Sequence, residues 1–117
     1  MKALPVTCPV NVAALDAPDP NAGMASHLYA IQYGGPDDVC RIQFQHGARG
    51  IDGSTAGVFE DALLAILQDR LEGFQSGPFA CEENARALVG VQSARNALNE
   101  RVAARMAKSV LGVNKTH

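Results

Sequence analysis

The sequence predicts an α+β fold: a small antiparallel β-hairpin or sheet, then a two-helix hairpin with a long C-terminal helix. Three observations carry this. Residues 28–34 and 39–46 alternate in polarity around Gly34-Gly35-Pro36-Asp37-Asp38, the pattern of an antiparallel hairpin. Residues 58–73 repeat apolar side chains at intervals of three and four, as one face of a helix does. A second such stripe runs from about 79 to 111, behind a Gly77-Pro78 break.

Residues 1–27 read as an N-terminal arm, partly extended, and residues 28–117 as a single α+β domain. Asp16 through Gly23 is rich in turn formers. Leu4, Val6, Val10 and Val12 alternate and are strand-forming. The hairpin is followed by GARGIDGSTAG, residues 47–57, whose four glycines let backbone N–H groups and Arg49 approach a ligand.

The first helix carries Phe59, Leu63, Ile66, Leu67, Leu71 and Phe74 on its stripe. Glu60 and Asp61 suit its positive first turn, and Thr55 is the nearest capping residue. Ser76 can cap the second helix, and Glu82 and Glu83 suit its start. The second stripe is Leu88, Val91, Ala94/Arg95, Leu98, Val102, Met106 and Val110. Gly90 costs this helix about 1 kcal/mol against alanine and permits a bend or a close crossing. At 1.5 Å per residue the helix spans roughly 45–50 Å. That is more than the first helix and a small hairpin can cover, so its apolar stripe predicts pairing with another copy of the chain.

At 117 residues the chain has room for one modest core. It has no Trp and two Tyr, and a core this poor in aromatics again predicts a homo-oligomer. The net charge of −2 speaks against general binding to DNA. Charge is nonetheless uneven. Residues 1–84 hold four Lys/Arg against eleven Asp/Glu, whereas residues 85–117 hold six against one, which permits an anion site on the long helix. Cys8, Cys40 and Cys81 show no C-x-x-C, so neither a disulfide framework nor a zinc site is signalled. The N-terminal run is broken by Pro5, Pro9, Asn11 and Asp16, and no stretch approaches the ~18 apolar residues of a membrane span. A cytoplasmic protein with reduced cysteines is expected.

Catalytic and metal patterns are not found. His27, His46 and His117 lie far apart, at no ligand spacing. Asp37-Asp38 and Glu82-Glu83 are adjacent pairs whose side chains diverge, unlike a carboxylate dyad. Ser54 and Ser76 have no base in view. No cofactor is implied. What remains is a cationic stripe and a turn. Arg101, Arg105 and Lys108 fall at i, i+4 and i+7, one face of a helix, where arginine can grip phosphate. A solvated face is the plainer reading. Phe74 and Phe79 flank the glycine turn. Phe79 fits the core, and Phe74 fits either core or a stacking platform. Asn84, in a first helical turn, can donate to and accept from a base or sugar edge.

Tyr33 through His117 resembles the Thoeris anti-defence protein 1 family of phages. The resemblance rests on DALLAILQDRLEGF (Asp61–Phe74), FQSGPFACEENARAL (Phe74–Leu88) and a tail over Gly112–His117 after a long Arg-bearing helix. Glu82 stands where an Arg is common, and Val89-Gly90 departs from stronger helix formers. The resemblance implies a sponge that sequesters glycocyclic ADP-ribose signals of bacterial TIR-domain proteins without degrading them, in the host bacterial cytoplasm. It also implies, for some members, cyclic di- or trinucleotides held at separate sites in a hexamer. By the same resemblance the ligand pocket uses Phe74, Asn84 and Arg101, with Arg49 in the loop after the hairpin. Arg105 shares the face of Arg101.

Helix geometry adds a constraint. Asn84 and Arg101 are about 25 Å apart on a straight helix, too far for one such ligand. An antiparallel partner would bring Arg101 of one chain beside Phe74 and Asn84 of the other. Two rivals stay open: a helical homodimeric interaction module with no small-molecule ligand, and an enzyme that cleaves the signal.

Overall fold

The computed structural model describes the backbone of residues 1–116 and the side chains of residues 1–107. The chain forms two compact units, Met1–Phe59 and Glu60–His117.

The first unit is a four-stranded antiparallel meander, β1 (Lys2–Leu4), β2 (Asn11–Ala14), β3 (Leu28–Gln32) and β4 (Val39–Gln43), in the order β1-β2-β3-β4. The expected hairpin is β3–β4, in register from Leu28↔Gln43 to Gln32↔Val39. Asp38 closes its turn, its carboxylate accepting from Gly35 N–H at 2.9 Å while Tyr33 N–H donates to the Asp38 carbonyl at 2.9 Å. Residues 1–27 contribute two strands to the same sheet. The prolines at 5 and 9 stay in the loop between them, where no ladder N–H is needed. β1 pairs with β2 through Leu4↔Val12, and β2 with β3 through Val12↔Ile31.

Beyond β4 the glycine loop folds back on the sheet. Phe44 bridges Val58, and His46 bridges Thr55. Thr55 is therefore no helix cap. Its N–H and carbonyl are both bonded to His46, at 2.8 and 2.9 Å, and the first helix starts later, at Glu60. Gly57 makes this return possible, because a Cβ there would land on the backbone of Gln43 and Phe44. Tyr29 and Phe44 pack edge to face at 5.6 Å.

The second unit is a hairpin of α1 (Glu60–Gln75) and α2 (Glu82–Thr116). Both helices start later than their stripes suggested: Val58 is held in its bridge beside Phe44, and Pro78, Phe79 and Ala80 stay in the turn before α2. On α2, Leu88, Val91, Arg95 and Leu98 are half-buried, as expected. On α1 the face differs from the expected one. Leu64, Ala65 and Gln68 join Leu63 and Leu71 in the half-buried set, while Phe59, Ile66 and Leu67 are exposed.

The two helices differ in length, about 24 Å for α1 and about 52 Å for α2. An antiparallel α1 reaches no further along α2 than the neighbourhood of Arg95, which bonds Asp61 in the first turn of α1. Val102 and Met106 lie past that reach and are 54% and 65% exposed. The side chains of Lys108, of Val110 and of the Gly112–His117 tail lie outside the described residues. No helix among the described residues is long and apolar enough to cross a membrane.

Candidate functional site

α1 ends and α2 begins in one closely bonded turn. Ser76 closes α1 rather than capping α2. Its hydroxyl donates to the Gly73 carbonyl at 2.8 Å and its N–H to Glu72 at 3.1 Å. The cap of α2 is Cys81, whose thiol sulfur accepts from Asn84 N–H at 3.4 Å. Gln75 holds that cap from the last turn of α1. Its Oε1 accepts from Cys81 N–H at 3.0 Å and its Nε2 donates to the Cys81 carbonyl at 3.1 Å. One amide thus imitates a strand partner and satisfies two backbone groups at the helix start.

Phe74 and Asn84 flank this turn. The Phe74 ring is partly open to solvent, and the Arg70 guanidinium lies 5.4 Å from its centroid, a cation–π contact. Asn84 Nδ2 donates weakly to the Phe79 carbonyl at 3.4 Å, which leaves its Oδ1 as an acceptor. Phe79 departs from its expected place in the core and is 72% exposed. The i, i+4 spacing of Arg70 to Phe74 is the sequence signal that marks it as a neighbour of the ring.

Arg101 and Arg105 are exposed on α2, about 25 and 31 Å from Asn84 by helix rise. α2 is uninterrupted through Gly90, where an added Cβ would meet nothing within 4 Å. A single chain therefore brings Phe74 and Asn84 to one turn and leaves Arg101 and Arg105 apart from it. Arg49 is exposed in the glycine loop of the sheet unit.

Arg95, which the spacing places on an apolar stripe, has a different task. Its guanidinium bonds Asp61 through Nε at 2.7 Å and Nη2 at 3.2 Å, and Gln68 through Nη1 at 2.8 Å. The hydrogen bond from Arg95 holds the Asp61 carboxyl below its usual range. Gln68, Gln92, Arg95, Asn96 and Asn99 line a shallow polar cleft of about 400 Å³ on this hairpin.

In the sheet unit, folding brings together two histidines that lack any ligand spacing in sequence. The rings of His27 and His46 stack at 3.8 Å, 5° from parallel. Each follows or precedes a strand end, and only the sheet register makes them neighbours.

The Acb2/Tad1 hairpin-domain family matches residues 36–103. Thoeris anti-defense 1 of Bacillus phage SBSphiJ7 is 35% identical over 77 residues, which cover 66% of this chain and 54% of that protein. The chain thus matches about half the length of that curated relative.

Proposed function

The chain belongs to the Acb2/Tad1 hairpin-domain family, and from that premise we propose that it is a phage anti-defence protein. In this reading it binds a cyclic ADP-ribose isomer in the host bacterial cytoplasm and holds it intact, so that the signal never reaches its effector. The observation that carries the reading is the span of the family match. Residues 36–103 take in Arg49, Phe74, Asn84 and Arg101 together.

The chemistry of the turn suits such a ligand. Phe74 offers a face on which adenine stacks, opposite the one that the Arg70 guanidinium covers at 5.4 Å from the centroid. Asn84 offers an amide to a base or ribose edge. Arg101 grips the diphosphate with its planar fork, and Arg105 adds charge on the same face. Because the turn and the arginines are about 25 Å apart along α2, the pocket needs a second chain lying antiparallel. The exposed Val102 and Met106 give that second chain an apolar seam.

Binding without cleavage fits the turn as well. Ser76 and Cys81 are its nucleophile types, and both engage neighbouring backbone. A catalytic serine or cysteine instead needs a base within hydrogen-bond reach.

The decisive experiment is release. The protein is loaded with a cyclic ADP-ribose isomer, freed of unbound ligand and heat-denatured. Ligand of unchanged mass in the supernatant supports a sponge. Hydrolysed product moves the chain to the enzyme class. No co-purifying ligand, with calorimetry also flat, favours the homodimeric interaction module. The same titration with cyclic di- and trinucleotides tests a second site in a higher assembly, a hexamer included.

A further inference from the structure

Among the described residues only Ala14 and His27 are buried, at 2% and 7% exposure. A histidine is an odd occupant for so small a core. Its backbone is fully engaged. His27 N–H donates to Asp16 Oδ1 and Oδ2 at 2.9 and 3.0 Å, and the His27 carbonyl accepts from Phe44 N–H at 2.7 Å. Its ring is not. Nδ1 is buried and has no hydrogen-bond partner, a state that native interiors rarely tolerate.

The groups around that nitrogen are metal ligands by type. The carboxylate of Asp16, the ring of His27 and the ring of His46 each place a donor atom within 4.8 Å of the other two. His46 Nε2 lies 2.8 Å from Asp19 Oδ2. A carboxylate only accepts, so the contact fits the tautomer with the proton on Nε2, in which Nδ1 presents a lone pair. This carboxylate–imidazole pairing is how metal-binding histidines are usually oriented. Asp16 Oδ2 accepts from His27 N–H alone, which leaves it a free lone pair.

We propose that Asp16, His27 and His46 bind a divalent transition metal of the zinc class, with Asp19 as the carboxylate that orients His46. Imidazole and carboxylate donors suit Zn²⁺, and three protein ligands leave a position open. The parallel rings cannot both aim in-plane lone pairs at one ion. Loading therefore tilts His46, whose side chain is 35% exposed and has room to turn about Cβ–Cγ. Asp16 follows β2, His27 precedes β3 and His46 follows β4. The ion would staple both ends of the β2–β3 loop to the segment after β4, where apolar burial is scant.

The test uses the full chain, stripped with chelator and titrated with zinc chloride by calorimetry. We expect one zinc per chain, a rise in the thermal midpoint and a change in the imidazole proton shifts of His27 and His46 as the stack opens. His46→Ala, checked by circular dichroism to be folded, should bind at least about 100-fold more weakly, and Asp19→Asn about 10–100-fold more weakly. Cys8→Ser/Cys40→Ser/Cys81→Ser should bind as the parent does, which separates this site from the three exposed thiols. No binding by the parent chain, undiminished binding by His46→Ala, or loss of binding with the cysteines overturns the proposal. A midpoint that changes with pH but not with zinc also overturns it, in favour of a stack that responds to protonation alone.

Discussion

Arg95 closes on Asp61 with two hydrogen bonds, Nε to Oδ1 at 2.7 Å and Nη2 to Oδ2 at 3.2 Å. This fork joins the first turn of α1 to the middle of α2 and fixes which face of α1 turns inward. Apolar packing alone would not choose, because α1 carries leucine or isoleucine on more than one face. The pair is not deeply buried, with side chains 27% and 38% exposed, so salt should weaken it.

Acid should loosen the helical hairpin through this pair. Asp61 has its folded pKa lowered, by the hydrogen bond from Arg95 first. A lowered carboxylate contributes stability that is fully present above the unfolded value of about 3.9 and is lost as pH falls through the folded value. The thermal midpoint should therefore fall below about pH 4 in the parent chain. Asp61→Asn should be less stable at neutral pH and less dependent on acid. Arg95→Lys should regain only part of what Arg95→Ala loses, since a point charge lacks the fork. Equal acid slopes for the parent and Asp61→Asn would remove the pair from the account.

Gly57→Ala should disrupt the sheet unit. The new methyl meets the backbone of Gln43, Phe44 and Gln45, which cannot swing aside as a side chain would. A loss of about 1–3 kcal/mol is expected, as for overpacking elsewhere. Gly50→Ala is the control. Its Cβ meets nothing within 4 Å, and its φ of 78° adds only backbone strain. Urea unfolding followed by tyrosine fluorescence separates the two, and a milder effect at Gly57 than at Gly50 would contradict the geometry.

Gly90→Ala should stabilise α2 by about 1 kcal/mol, because the helix gains a better former and the methyl finds open space. The same substitution tests what the single chain does not display. If Gly90 is a crossing point between two copies, alanine there will weaken the assembly while raising helicity. Sedimentation and circular dichroism on one sample distinguish the outcomes.

The parts legible in the sequence were those set by local pattern. β3 and β4 followed from alternation around a Gly-Pro-Asp turn, and the inward face of α2 followed from Leu88, Val91 and Leu98. Features set by distant partners were not legible. The rotation of α1 depends on Arg95, which the spacing alone places on an apolar stripe. The cap of α2 is the thiol of Cys81, whose backbone Gln75 holds, whereas capping preferences pointed to Ser76. His27 and His46 meet only once β3 and β4 are in register. At the candidate ligand site the sequence supplied Phe74 and Asn84, which the fold sets about one turn. It did not supply Arg70 over the ring.

The last prediction concerns the proposed pocket shared between two chains. If adenine stacks on Phe74, Phe74→Ala should cost about 1–3 kcal/mol of binding. Arg70 covers one face of the ring and stacks on no base itself, so Arg70→Ala should weaken binding less than Phe74→Ala. Arg101→Ala should weaken binding by a similar amount and leave the assembly folded, because Arg101 is exposed in the single chain. If two copies pair along α2 as proposed, Val102→Asp should instead split them, by placing an unpaired charge between them. Asn84 and Arg101 are too far apart on α2 to serve one ligand within a chain, and that distance is testable by complementation. Mixing Arg101→Ala chains with Asn84→Ala chains gives, in each mixed dimer, one intact pocket and one doubly damaged pocket. After random exchange about a quarter of all pockets should bind. Calorimetric stoichiometry reads this directly, with exchange verified by mass-labelled subunits. Exchange without any recovered binding would place Asn84 and Arg101 in one chain's pocket, which the uninterrupted helix from Glu82 to Thr116 does not allow without a sharp bend.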